Sequence, residues 1–444
     1  MSLLSSIRQY FQINPEDEVS PGVAQHFKHN FIVNSVENSV WLFGDSFVSA
    51  ATILPVFAAT ITDSPLIIGL IPALLNAGWV LPQLFMTGFV QRLKRIMPFA
   101  KKMAMFERIP YLFFPLLALL LPRISRELAV LIFILLIAWR GFSSGLVSLP
   151  WQEVIARIIP ISHRARFFGL ARLLGQILGV IGSVIAALIF RSMDYPHTFA
   201  LSFAIGLVLN WVSYIFFAMT IEPDFKNTRE QQEVGLETAK ASLIDFQAFK
   251  LILKSDKAFV SYLLSRSALF MGNMASGFLA VYAIQRFDLS DDQAAVFTGL
   301  LFLSGILGYA LWGAIGDRIG PKRVLLVSGL LWTSAVVLAI LSQSIWMFYG
   351  VFLLLGFANA GGILGELVMV MELGNDEQRP IYLGMARTLP GIFLLVAPLL
   401  AGILVKTGGY RLMFFFSLGF MAIALLFLLR VRDRARPKRR PRQD

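Results

Sequence analysis

The sequence predicts an all-α membrane protein with about twelve transmembrane helices in two pseudo-symmetric six-helix bundles. Three observations carry that prediction. Of 444 residues, 57% are hydrophobic and only 15% are charged, with a mean hydropathy of +0.71, a balance that soluble chains of this length do not show. Apolar runs of about 20 residues, enough for a helix to cross roughly 30 Å of hydrocarbon, follow one another from Phe31 to Leu429. The alternating strands of about ten residues that a membrane barrel requires do not occur.

Taken in order, the runs place spans near 31–58, 65–90, 98–121, 127–150, 166–190, 198–220, 258–284, 293–315, 322–341, 345–371, 381–405 and 409–430. Between the sixth and seventh lies the chain's long polar stretch, from Glu222 to Lys257, with acids and bases mixed. It is the expected linker between two halves. The resulting division is a cytoplasmic N-terminal segment (1–29), an N-terminal six-helix bundle (30–221), a cytoplasmic linker (222–257), a C-terminal six-helix bundle (258–430) and a basic cytoplasmic tail (431–444). The opening MSLLSSIRQYFQINPEDEVSP breaks its apolar stretch at Arg8 and Gln9 and follows it with acids. A short amphipathic helix, not a signal peptide, is expected there.

The net charge of +12 is a topology signal and not a nucleic-acid footprint, because the bases sit in short segments between apolar runs. Arg92, Lys94, Arg95, Lys101 and Lys102 lie in the second loop; Arg157, Arg164 and Arg166 in the fourth; and Arg318, Lys322 and Arg323 in the eighth. The tail reads RVRDRARPKRRPRQD. Odd-numbered loops carry fewer, so both termini and the even loops are expected at the cytoplasmic face of the plasma (inner) membrane, with the tail against anionic lipid. There are no cysteines, which removes disulfides, thiolate metal sites and a Cys nucleophile. Neither metal-ligand spacing nor a phosphate-cradling Gly-Lys-Ser/Thr loop appears, and no nucleophile, base and orienting group occur together. The expectation is a non-enzyme with no cofactor and no metal.

Internal matches support two related halves. Arg164, Gly169 and Arg172 in HRARFFGLAR recur as Arg379, Gly384 and Arg387 in QRPIYLGMAR; Phe43-Gly44-Asp45 parallels Met271-Gly272-Asn273; and Gly88 corresponds to Gly313. These place helices 1, 2 and 5 opposite helices 7, 8 and 11, a parallel repeat.

The eighth loop, GAIGDRIGPKR, has Gly313, Asp317, Arg318, Gly320, Lys322 and Arg323. This loop resembles the signature of the major facilitator superfamily. The resemblance implies a carrier whose two halves rock about a central site, with this loop as a latch on the cytoplasmic side when the carrier faces outward. The two glycines permit a tight turn and close helix approach, and the bases hold the loop at the cytoplasmic face. The loop between helices 2 and 3, GFVQRLKRIMP, departs from the pattern, with Arg92 in place of the acid and Arg95 in place of the second glycine. The latch is therefore expected to be asymmetric.

Ionisable groups within spans are functional candidates because they need a partner or a wet cavity. Asn34, Glu37, Asn38, Trp41 and Asp45 recur every three or four residues along the first span, a polar stripe. Its alternative role is structural hydrogen bonding within the bundle. Arg140 in the fourth span can hold an anion or partner an acid. Arg266 falls opposite Asn38 in the repeat, so an ion pair with Glu37 or Asp45 across the two halves is expected, and Asn273 matches Asp45. Glu107 and Arg108 read as a local pair, while Glu153, Arg172, Glu366 and Arg387 form candidate gating pairs. The functional expectation is a secondary carrier of a small solute, coupled to protons through Asp45 or Glu37, complete within one chain and in contact with membrane lipid. The alternative is a non-transporting protein of the same fold, acting in assembly, as a receptor or in lipid handling.

Overall fold

In a computed structural model the described residues are 11–13, 17, 19–223, 246–372 and 379–431. Their regular elements are helices: α1 (Pro21–Asp45), α2 (Ile53–Ile61), α3 (Pro65–Gln91), α4 (Met97–Leu120), α5 (Arg126–Ile158), α6 (Ile161–Ser192), α7 (His197–Ala218), α8 (Phe246–Ser255), α9 (Lys257–Gly272), α10 (Leu279–Phe287), α11 (Asp292–Ile319), α12 (Pro321–Leu341), α13 (Ile345–Glu372) and α14 (Arg379–Arg430). Among the described residues, ten candidate spans are long and apolar enough to cross a membrane. Two more come from bends in the chain. Helix α14 divides at Gly409, where φ is +74°, a left-handed conformation that favours glycine. Helices α1 and α2 form the first span, which is interrupted from 46 to 52. The twelve-span fold is the one the sequence predicts.

Two expected boundaries move. Helix α1 starts at Pro21, inside the segment 1–29, where Ser20 Oγ accepts the Val23 N–H at 3.4 Å and proline suits the first turn. Gln25, His26, Lys28 and Asn30 gave this stretch a polar appearance, yet Val23, Phe27 and Phe31 bury its other face. At the other end of the half, Glu222 belongs to the bundle and not to the linker. Its carboxylate accepts the N–H groups of Ile96 and Met97 at 3.1 and 2.9 Å. It thereby caps α4, where unpaired amides and the helix dipole favour an anion. Of the opening stretch where a short amphipathic helix is expected, residues 1–10 lie outside the described residues, as does the basic tail from 432 onward.

The first span is interrupted rather than continuous, and a break at mid-depth exposes backbone that lipid cannot satisfy. Here side chains satisfy it: Ser202 donates to the Phe47 carbonyl at 2.9 Å and Arg140 to that of Val48 at 3.0 Å. The seventh span breaks in the matching place. A 3-10 turn at Asn273–Ala275 separates α9 from α10, and Ser417 donates to the Gly272 carbonyl. Thus Gly44-Asp45 and Gly272-Asn273 end their half-helices alike, as the repeat predicts.

Within the first half α1 packs on α6 and α7, and α5 on α3 and α4; within the second, α9 packs on α14, and α13 on α11 and α12. The halves meet through α3 with α14 and α6 with α11. These meetings concentrate at the distal end, opposite the termini. Gly402 lies against Pro65 and Leu66, and Gly69 against the Pro398 backbone, so close that any side chain there would strike main chain. Polar ties flank them: Thr52 with Thr298, and Arg191 with Asp292 at 2.8 Å.

The absence of native cysteines makes this closure directly measurable. In a Thr52→Cys/Thr298→Cys protein, oxidation in membranes should form a disulfide between the halves, read as altered gel mobility of the intact chain. A pair that resists oxidation in the folded protein would contradict the closed distal end.

Candidate functional site

The interruption of the first span carries the best-formed site. Asp45 ends α1, and Arg140 reaches it from α5. One guanidinium nitrogen donates to Asp45 Oδ1 at 2.7 Å, while the other holds the Val48 carbonyl. The Tyr111 ring on α4 lies under the guanidinium at 5.1 Å, a cation–π distance. Arg140 is thus anchored by backbone, carboxylate and ring. Its side chain is 8% exposed and that of Asp45 24%. The carboxylate is the reachable half of a fixed pair.

The rest of the predicted stripe divides. Asn34 is fully buried and turned to α7, hydrogen-bonded to Thr220 at 3.0 Å. It holds the first and sixth spans together. Glu37 is also buried, 3.4 Å from the Ser213 hydroxyl and 3.8 Å from Arg108. Arg108, on α4, pairs with Glu107 and also bonds the Ala104 carbonyl at 3.1 Å. Two carboxylates therefore share one guanidinium inside the first half. The local pair expected at Glu107 and Arg108 is present, but it extends to Glu37. Asn38 and Trp41 are half-buried on α1.

In the second half Arg266 does not cross to Glu37 or Asp45. It pairs with Glu366 of α13 and lies over the Phe270 ring at 4.7 Å. The correction has a simple cause. Each acid of the first span already has a cation in its own half, Arg140 or Arg108, and Arg266 finds its acid on its own bundle. The expected gating pairs change for the same reason. Glu366 is taken by Arg266, while Glu153 pairs one helical turn along with Arg157 at 3.2 Å. Arg172 is exposed on α6, and the side chain of Arg387 lies outside the described residues.

Asn273 and Arg266 share a cavity of about 300 Å³ between α9, α12, α13 and the end of α14. Sequence reasoning singled out neither Asn359 nor Trp332, which also line it. An amide and a ring in an apolar run carry no charge signal, although Asn359 stands as far into α13 as Arg140 stands into α5. Of the signature loop, Gly320 has φ +86°, the turn expected of it, and the Lys322 ammonium donates to the Leu429 carbonyl at 3.1 Å. Arg318 and Arg323 are exposed, and the Asp317 side chain lies outside the described residues. Gly313 faces open space instead of a neighbouring helix, so the close approach expected there is not made in this conformation.

Two substitutions test these contacts in detergent. Arg140→Gln leaves Asp45 without its cation and frees the Val48 carbonyl. It should destabilise the fold by about 3–5 kcal/mol, and adding Asp45→Asn should recover part of the loss in melting temperature. Glu222→Ala should cost about 1–3 kcal/mol by stranding two helix-start amides. Melting curves indistinguishable from the parent would refute either assignment.

Comparison with known proteins gives a family match over part of the chain. Residues 262–444 match the family described as Major Facilitator Superfamily. Curated relatives include the MFS-type transporter ppz2 of Metarhizium majus, 24% identical over 34% of this chain and 26% of its own length. Another is Protein ZINC INDUCED FACILITATOR 1 of Arabidopsis thaliana, 30% identical over 28% of this chain and 27% of its own. The chain thus spans about a quarter of the length of these relatives. A point mutant of the nucleoside transporter NupG superposes with a TM-score of 0.69 at 13% identity, over 90% of this chain and 98% of that one. The inward open xylose transporter XylE of E. coli superposes with a TM-score of 0.66 at 16% identity, over 91% and 96%. The second half of the chain thus matches the major facilitator superfamily, and the twelve-span fold along the chain is that of these solved transporters.

Proposed function

We propose that the protein is a secondary carrier of a small solute, working by alternating access. One observation carries the reading: at the middle of an interrupted first span, a carboxylate pairs with a fixed guanidinium and still reaches solvent. Lipid does not tolerate such a pair unless it is paired and faces protein or a wet cavity, and interrupted helices at mid-depth mark binding sites in transporters. The solved structures of this fold include a xylose and a nucleoside transporter. That likeness supports the mode of action and leaves the solute to the chemistry of the cavity.

The bases of the even loops support cytoplasmic termini and a cytoplasmic linker, with the basic tail against the anionic inner leaflet of the plasma membrane. The distal end is then extracytoplasmic, and the conformation described here is closed to the outside. The open space around Gly313 fits that state, since the signature loop serves as a latch only when the cytoplasmic side closes. Protons supply the coupling in this reading, bound first at Asp45 and next at Glu37. Asp45 can exchange Arg140 for a proton as the halves rock. Glu37 competes with Glu107 for a single Arg108. The pathway lies within one chain, so a monomer suffices.

In liposomes, a solute library tested with and without a pH gradient should reveal gradient-driven accumulation of at least one compound. Asp45→Asn should reduce accumulation at least tenfold while leaving exchange of solute at equal concentrations measurable. If folded, correctly inserted protein moves nothing, the carrier reading fails, and a non-transporting member of the family becomes the better account.

A further inference from the structure

We infer that the cavity of the second half is a binding site for a small zwitterion, a molecule with adjacent carboxylate and amine groups and an apolar side. Three polar atoms of its lining residues, Arg266 Nε, Asn273 Oδ1 and Ser328 Oγ, are buried and have no hydrogen-bond partner among the described residues. Leaving a buried polar group unsatisfied is costly, and three around one cavity point to an occupant that satisfies them.

The two halves make the contrast. At matching positions the first half sets Asp45 against Arg140, and the pair satisfies itself. The second half sets Asn273 and Asn359 there and leaves a space. Charge has moved about two turns toward the termini, where Arg266 and Glu366 stand side by side on α9 and α13. Arg266 lies over the Phe270 ring, with Nη2 bound to Glu366 and its Nε edge without a partner among the described residues. That edge takes a carboxylate. Glu366, with a third of its side chain exposed, and the Asn273 oxygen take an ammonium. The rest of the lining is largely apolar and includes Leu269, Trp332 and Leu325. A cavity of about 300 Å³ lies at the small end of the ligand-pocket range, which limits the occupant to amino-acid size.

The site stands independently as a binding site; it rests on the carrier reading only in making the zwitterion the transported solute. The test is therefore equilibrium binding by protein purified in detergent, read by titration calorimetry and by Trp fluorescence. The probes are leucine and phenylalanine, their decarboxylated amines (3-methylbutylamine and phenethylamine), and the acids lacking the amine (4-methylpentanoate and 3-phenylpropanoate). At least one zwitterion should bind ten times more tightly than either of its analogues. Arg266→Gln should weaken it at least tenfold, and Glu366→Gln should narrow the preference over the acid. Gly362→Val keeps the test clear of unfolding, because a Cβ at Gly362 meets nothing within 4 Å and enters the cavity wall without touching the ion pair. It should also weaken binding at least tenfold.

Equal affinity for zwitterion and analogues, no binding by protein with a cooperative melt, or unchanged affinity in Gly362→Val would each overturn the inference. So would native mass spectrometry showing a phospholipid in the cavity that neither amino acid displaces. Binding without uptake in liposomes would keep the site and overturn the carrier reading; uptake unaffected by Gly362→Val would do the reverse.

Discussion

An unpaired backbone carbonyl inside a membrane costs several kcal/mol, and the first span presents two where its helix breaks. The organisation around Asp45 follows from how they are satisfied. Arg140 supplies one donor and Ser202 the other. Once a guanidinium is committed to that place its charge requires an anion, which Asp45 supplies from the last turn of α1. The ring of Tyr111 beneath it completes the setting. Structural need and functional group thus coincide: the residue that makes the break tolerable also creates a fixed positive charge at mid-depth beside a reachable carboxylate.

The two halves use the same scaffold for different ends. Both have a broken inner span, and in both a serine from the last helix of the bundle, Ser202 or Ser417, secures the free carbonyl. The first half fills its interior with ion pairs, Asp45 with Arg140 and Glu37 with Glu107 around Arg108, and the second keeps a cavity edged by amides and one ion pair. The halves join through glycines and small hydroxyls at the distal end, where Gly69 and Gly402 let α3 and α14 touch backbone to backbone. Such an interface depends on close packing more than on strong bonds, which suits surfaces that separate and re-form.

Much of this was legible in the chain. Apolar run lengths placed the spans, and the internal repeat set Gly44-Asp45 opposite Gly272-Asn273 without marking a break at either. Arg140 and Asp45 stood out because charge in a span is rarely idle. The interruption itself was hidden, since FVSAATIL is as apolar as a continuous helix. Partnership was misread at Arg266, where helix periodicity gives a face but no neighbour, and Glu366 on another helix could not be ranked against Glu37. Glu222 was hidden as well: beside a polar linker a carboxylate looks like solvent-facing sequence, and its two amide partners lie far back in the chain. Asn359 and Trp332 carry no charge, so three-dimensional placement alone brings them to the cavity.

The most direct test of the central claim is whether the distal closure opens. Asp63 and Arg411 are exposed at that end, one on each half, and in this cysteine-free chain spin labels at Asp63→Cys and Arg411→Cys report the separation by pulsed electron resonance in lipid nanodiscs. Alternating access predicts a short distance matching the closed form together with a second, longer population whose share changes with pH. A single short distance at every pH and with every solute tried would contradict it.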